Sequence, residues 1–199
     1  MGGANFLALG DSYTIGEGVA EAERWPVQLA HSLGIAAPEI LARTGWTTDE
    51  LAAAMAQHTF HPPYDLVSLL IGVNNQYRGR DLANYREEFR ALLERAIELA
   101  GRRPERVIVV SIPDWGATRF GRESGRDTAQ IAREIDRYNA ANAEISCSAQ
   151  AHYVDVTTAS REDARWVVDD GLHPSGAAYR HWSEAILPIA RRAYCAERK

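Results

Sequence analysis

Two segments near opposite ends of the chain carry the residue types of nucleophilic acyl transfer. Gly10-Asp11-Ser12-Tyr13-Thr14-Ile15-Gly16-Glu17-Gly18 follows an apolar run and holds a serine hydroxyl in a glycine-rich turn. A nucleophile there is exposed to substrate yet anchored by a strand, and the glycines let a substrate carbonyl approach main-chain N–H groups. Asp169-Asp170-Gly171-Leu172-His173-Pro174 sets Asp170 three residues before His173. On one turn that spacing lets the carboxylate reach the imidazole Nδ1–H, which fixes the tautomer and stabilises the imidazolium formed when Nε2 takes a proton. Ser12, Asp170 and His173 are thus candidates for nucleophile, orienting acid and general base. Each segment alone also has a plain explanation: a serine in such a turn commonly caps it, and Asp-x-x-His pairs occur on ordinary surfaces.

A tetrahedral intermediate needs fixed donors around its oxyanion, and losing one typically costs a factor of about 10²–10³ in rate. Two central positions can supply them. In Arg43-Thr44-Gly45-Trp46-Thr47-Thr48-Asp49-Glu50, Thr47 and Glu50 are spaced as a capping box, so the Gly45 N–H can point out of a helix-start turn. In Gly72-Val73-Asn74-Asn75 the Asn74 amide is a second candidate. Trp46 and Trp166 can stack on a sugar or an aryl group, although burial in the core is the commoner role of tryptophan. Asn75 can bind substrate or satisfy its own loop, and Tyr13 can pack or line an acyl pocket.

The elements that must position these residues alternate along the chain. Strand-like runs cover Phe6 to Leu9, Ile40 to Ala42, Leu66 to Ile71, Val107 to Ile112 and Tyr153 to Val156. Between them, Leu82, Tyr85, Phe89, Leu92, Leu93, Ala96 and Ile97 form a stripe at helical spacing, as do Ile131, Ile135, Tyr138, Asn142 and Ile145. Asp127 and Gln130 are spaced as a capping box for the latter. A last helix carries Tyr179, Trp182, Ile186 and Ile189, with Pro188 as a kink or early break and Pro174 and Ser175 at its start. Alternation of this kind implies crossover connections, a mainly parallel sheet and a three-layer α/β/α sandwich. The irregular stretches Gly72 to Arg80, Pro113 to Arg126 and Thr157 to Ser175 each follow a predicted strand, which is where open parallel sheets bind ligands.

In the order Ser, Gly, Asn, Asp-x-x-His, the segments GDSYTIGEG, the TGWTT glycine, GVNN and DGLHP resemble the sequence blocks of the SGNH (GDSL-type) hydrolases. The blocks span the chain. The resemblance implies a flavodoxin-like sandwich with a five-stranded parallel sheet, one domain over residues 1–199, and no metal or organic cofactor. It implies Ser12 as nucleophile and, through its own N–H, as one oxyanion donor beside Gly45 and Asn74, with Asp170 and His173 completing a triad. Many members have leucine where Tyr13 stands, which bears on substrate preference more than on mechanism. The implied activity is that of a serine esterase cleaving short-chain acyl esters. A carbohydrate O-acetylesterase, thioesterase or lysophospholipase of the same family is the alternative, followed by a catalytically silent carbohydrate- or phosphate-binding module.

Rival readings lack their signatures. The glycine-rich turn has neither the ending of a P-loop nor the spacing of a dinucleotide fingerprint. His58 and His61, three apart with no neighbouring carboxylate or cysteine, make a poor metal site. Asp155 is a weaker candidate than Asp170 to orient His173, and Asp11 suits local backbone bonding. The net charge of -5 among 199 residues argues against a nucleic-acid partner, and no apolar run reaches the roughly 20 residues of a membrane span. The expected partner is a small-molecule ester. Cys147 and Cys195 read as buried or free thiols rather than a disulfide. Residues Met1 to Asn5 show no export signal, so the expected location is cytoplasmic.

Overall fold

The computed structural model describes residues 5–162 and 166–195, apart from the Cys195 side chain. Its strands are β1 (Phe6–Gly10), β2 (Glu39–Ala42), β3 (Leu66–Leu70), β4 (Val107–Val110) and β5 (His152–Val154). They form one sheet in the order β2-β1-β3-β4-β5, every neighbouring pair parallel. Strands β1, β3 and β4 are buried along their whole length, whereas edge strand β2 is half-buried. Near-continuous apolar sequence demands cover on both faces.

Among the described residues that cover comes from α1 (Ser12–Ile15), α2 (Trp25–Leu33), α3 (Thr48–Gln57), α4 (Val73–Tyr77), α5 (Leu82–Leu99), α6 (Arg119–Glu123), α7 (Thr128–Ser148), α8 (Thr157–Glu162) and α9 (Gly176–Cys195). Helices α2 and α9 pack together as one layer, and α3, α5 and α7 form another. The stripes expected on α5 and α7 are the buried ones, Tyr85, Phe89, Leu92, Leu93 and Ala96 on the first and Ile131, Ile135, Tyr138, Asn142 and Ile145 on the second. No described helix is long and apolar enough to cross a membrane.

Several local expectations need correction. Pro188 lies inside α9 and does not end it; it and Glu184 are exposed, so the carbonyl that the proline cannot bond is open to water. Asp127 caps α7 by accepting from Ala129 N at 2.9 Å, but Gln130 reaches forward to Glu134 at 2.8 Å instead of closing a box. Strand β4 ends at Val110, short of the expected Ile112: Ser111 N still donates to Val154 O at 2.9 Å, and at Ile112 Asn139 of α7 takes the strand's place, its Oδ1 accepting from Ile112 N at 2.8 Å and its Nδ2 donating to Ile112 O at 2.9 Å. The three irregular stretches contain the short helices α4, α6 and α8. Cys147 is a free thiol, one of the two expected states, and it is exposed; the Cys195 side chain lies outside the described residues.

Candidate active site

All five strands run the same way, so their carboxyl ends share one edge, and the segments after β1, β2, β3 and β4 meet there. After β1, Asp11 caps α1: its Oδ1 accepts from Tyr13 N at 3.0 Å, and its carbonyl accepts from Thr14 and Ile15 N at 3.1 and 2.9 Å. Ser12 is the first residue of that turn, so its N–H has no intrahelical acceptor. Beyond β2, Gly45 has φ +87°, a conformation L side chains resist, and its carbonyl is held by Arg78 Nη2 at 2.6 Å. The box expected at α3 has its Glu50 arm, with Oε2 accepting from Thr47 N at 2.9 Å. Beyond β3, Gly72 turns at φ +127°, where an added Cβ would lie 2.4 Å from the Tyr85 hydroxyl. Asn74 follows on α4 and donates one amide hydrogen to Trp46 O at 2.9 Å. That bond sets its Nδ2 beside the Gly45–Trp46 backbone and leaves the other hydrogen for the cavity.

Ser175 caps α9 as expected, its Oγ accepting from Ala178 N at 3.3 Å and its carbonyl from Tyr179 N at 2.9 Å, and the backbone of His173 just before it is tied to the preceding segment. Val167 and Pro174 form an isolated antiparallel bridge, with Val168 N donating to His173 O at 2.8 Å and Ser175 N to Trp166 O at 3.0 Å. Asp170 accepts three hydrogen bonds, from His173 Nδ1 at 2.6 Å, Leu172 N at 2.7 Å and His173 N at 2.9 Å. Partial burial pushes its carboxyl pKa up, but these bonds outweigh burial and hold it below the ordinary value. An ionised carboxylate at Nδ1 keeps the proton on that nitrogen and leaves Nε2 as the acceptor.

Ser12, Gly45, Asn74 and His173 line one cavity of about 210 Å³. Tyr13, Thr44, Val73 and Leu172 complete it with an aromatic wall of Tyr77, Trp115 and Phe120. Trp115 meets Tyr77 edge-on at 5.3 Å and Phe120 at 6.0 Å, and its Nε1 donates to Gln76 Oε1 at 2.7 Å. Sequence reasoning missed this wall; its one signal was that these aromatics fall in or beside loops that follow strands.

The other candidates go elsewhere. Asn75 is fully buried and spends its amide on α3, accepting from Thr48 N at 3.1 Å and donating to Thr48 Oγ1 at 2.6 Å. Trp46 enters the site through its carbonyl, its ring packing against the core. Trp166 is 41% exposed, stands edge-on to His181 at 5.7 Å and lines a neighbouring apolar pocket without Ser12. Tyr13 is buried, 5.6 Å from the His173 ring, and forms part of both pockets. Asp155 accepts from Thr157 N and the Ser111 hydroxyl, at the start of α8 rather than at His173. His58 does have a carboxylate neighbour, Glu39 at 2.6 Å, yet no metal-binding cluster occurs among the described residues. Asp11 is wholly buried, its Oδ2 has no partner among the described residues, and desolvation raises its pKa to about 7 against the pull of its backbone bonds.

Residues 8–181 match the family model described as GDSL-like Lipase/Acylhydrolase family. A search of curated protein sequences finds no match. Solved structures of similar fold include a lipolytic G-D-S-L family protein from Veillonella parvula DSM 2008, 18% identical over 95% of this chain and 99% of that one, with a TM-score of 0.70. A catalytic mutant of an acetylxylan esterase from Geobacillus stearothermophilus is 20% identical over 94% of each chain, with a TM-score of 0.69. A phospholipase A1 from Streptomyces albidoflavus NA297 is 19% identical over 96% of this chain and 100% of that one, with a TM-score of 0.65.

Proposed function

Because the chain belongs to the GDSL-like lipase/acylhydrolase family and is a hydrolase by that membership, we propose that it is a serine esterase acting on short-chain acyl esters. The observation that carries this reading is the convergence of Ser12, Gly45, Asn74 and His173 on one cavity, with Asp170 bonded to the far side of the histidine.

In the proposed cycle, Ser12 Oγ attacks the ester carbonyl carbon while its proton passes to His173 Nε2. The carbonyl oxygen becomes an oxyanion held by the Ser12 N–H, the Gly45 N–H and the free Nδ2–H of Asn74. The imidazolium returns the proton to the alcohol oxygen as the C–O bond breaks, leaving Ser12 acylated. Water then attacks the acyl-enzyme, its proton going to His173 and on to Ser12 as the acid leaves. A cavity of about 210 Å³ with an apolar wall supports a short acyl group.

Hydrolysis of p-nitrophenyl acetate, butyrate and octanoate by wild type, Ser12→Ala and His173→Ala tests the proposal. The acetate and butyrate should turn over fastest, and each variant should lose several powers of ten in kcat/KM. Full activity in Ser12→Ala would overturn the assignment.

A further inference from the structure

Resting on the esterase reading above, we propose that Trp115 and Leu172 limit the length of the acyl group by walling the catalytic cavity off from a second apolar pocket. That pocket, about 30 Å³ in volume, lies between the segment after β4 and helices α8 and α9. Tyr13, Trp115 and Leu172 line both it and the catalytic cavity, so these side chains form the wall between the two. Beyond the wall the lining is mainly hydrocarbon, with Pro113, Ala159, Val167, Ala178 and Trp182. Its carboxylate, Asp114, is ion-paired with Arg161 at 2.8 Å, and the hydroxyls of Ser160 and Thr118 donate to Thr157 O and Trp115 O, each at 2.7 Å. Methylenes entering from the cavity would therefore meet an apolar seat whose polar groups already have partners.

The wall is braced from behind. Trp115 is 1% exposed, its Nε1 donates to Gln76 Oε1 at 2.7 Å, and its carbonyl accepts from Thr118 N at 3.1 Å. A Cβ added at Gly121 would lie 2.3 Å from Trp115 O, so α6 packs directly on this turn. Close packing of this kind does not open for a longer chain without cost. Leu172 is half-buried, and its N–H donates to Asp170 Oδ1 at 2.7 Å, a backbone bond that survives truncation of the side chain. The chemistry assigns the wall to the acyl arm of the ester. The alcohol has to leave past His173 Nε2 and be replaced there by water, so its side must be open. The acyl group stays bonded to Ser12 between the two steps and takes the enclosed apolar side.

The test measures kcat/KM along two series, p-nitrophenyl esters from acetate to octanoate and alkyl acetates from ethyl to octyl. Leu172→Ala should raise the octanoate-to-acetate ratio by about tenfold, since each of two methylenes that gains an apolar seat is worth roughly fourfold. Trp115→Leu should act in the same direction. Because Trp115 is fully buried, Leu172→Ala decides the matter if a thermal melt shows Trp115→Leu unfolded. Ala159→Leu, which fills the second pocket from α8, should leave the wild-type ratio unchanged but cancel most of the gain when combined with Leu172→Ala. The octyl-to-ethyl acetate ratio should stay constant throughout. An octanoate ratio unmoved in Leu172→Ala, a gain that Ala159→Leu does not reverse, or a gain in the alkyl series instead overturns the wall alone. If wild type cleaves none of the esters, acetate included, the esterase reading falls and this inference falls with it.

Discussion

Replacing Asp11 by Asn tests the environment beneath the nucleophile. Asn can keep the Oδ1 bond to Tyr13 N, 3.0 Å in the wild type, while removing the titration. Lifting a buried carboxyl from its ordinary 3.8 to about 7 corresponds to on the order of 4 kcal/mol, at about 1.4 kcal/mol per pH unit. The sign follows from linkage: the folded state holds the proton more tightly than the unfolded chain, so this group's stabilising influence is full below pH 3.8. It is lost as the pH rises towards 7 and changes no further above that. Urea unfolding of wild type and Asp11→Asn at intervals from about pH 4 to pH 8 removes contributions common to both. The stability difference should move in favour of the variant by on the order of 4 kcal/mol across that range. Parallel curves would mean that Asp11 is solvated or paired in the folded protein and would refute the reasoning.

Asn74→Ala should lower kcat by about 10²–10³ for want of one oxyanion donor, with a thermal melt to show that loss of its bond to Trp46 O has not unfolded the protein. Asp170→Asn should lower kcat by about 10³–10⁴ by releasing the histidine tautomer. Because Asp170 is held below its ordinary pKa, its contribution to stability is present above pH 3.8 and lost as the pH falls through the depressed value. A comparison of wild-type and variant melts between about pH 2 and pH 6 reads that loss, and coincident pH dependences would count against it. Asn75→Ala leaves the buried Thr48 N without its acceptor, while Thr48 Oγ1 keeps its bond to Glu88, and should destabilise by about 1–3 kcal/mol; unchanged urea stability with a raised KM would instead restore Asn75 to the substrate site.

What could be read along the chain was what depends on near neighbours. Apolar runs separated by helical stripes specify a parallel sheet with two helical layers, because each element must bury its own apolar face. The bond from Asp170 to His173 joins residues three apart and was legible for the same reason. The Ser12, Gly45 and Asn74 segments could be placed after strands, and parallel strands bring such segments to one edge. The tertiary structure alone decided what fills the space between them. Asn75 and Thr48 are 27 residues apart and Trp115 and Gln76 are 39 apart, so nothing local marked Asn75 as an internal tie or Trp115 as a cavity wall. Trp166 and Trp46 look equivalent in sequence, but one sits over a separate pocket and the other lends the site its carbonyl. The raised pKa of Asp11 likewise depends on burial, which sequence spacing does not encode.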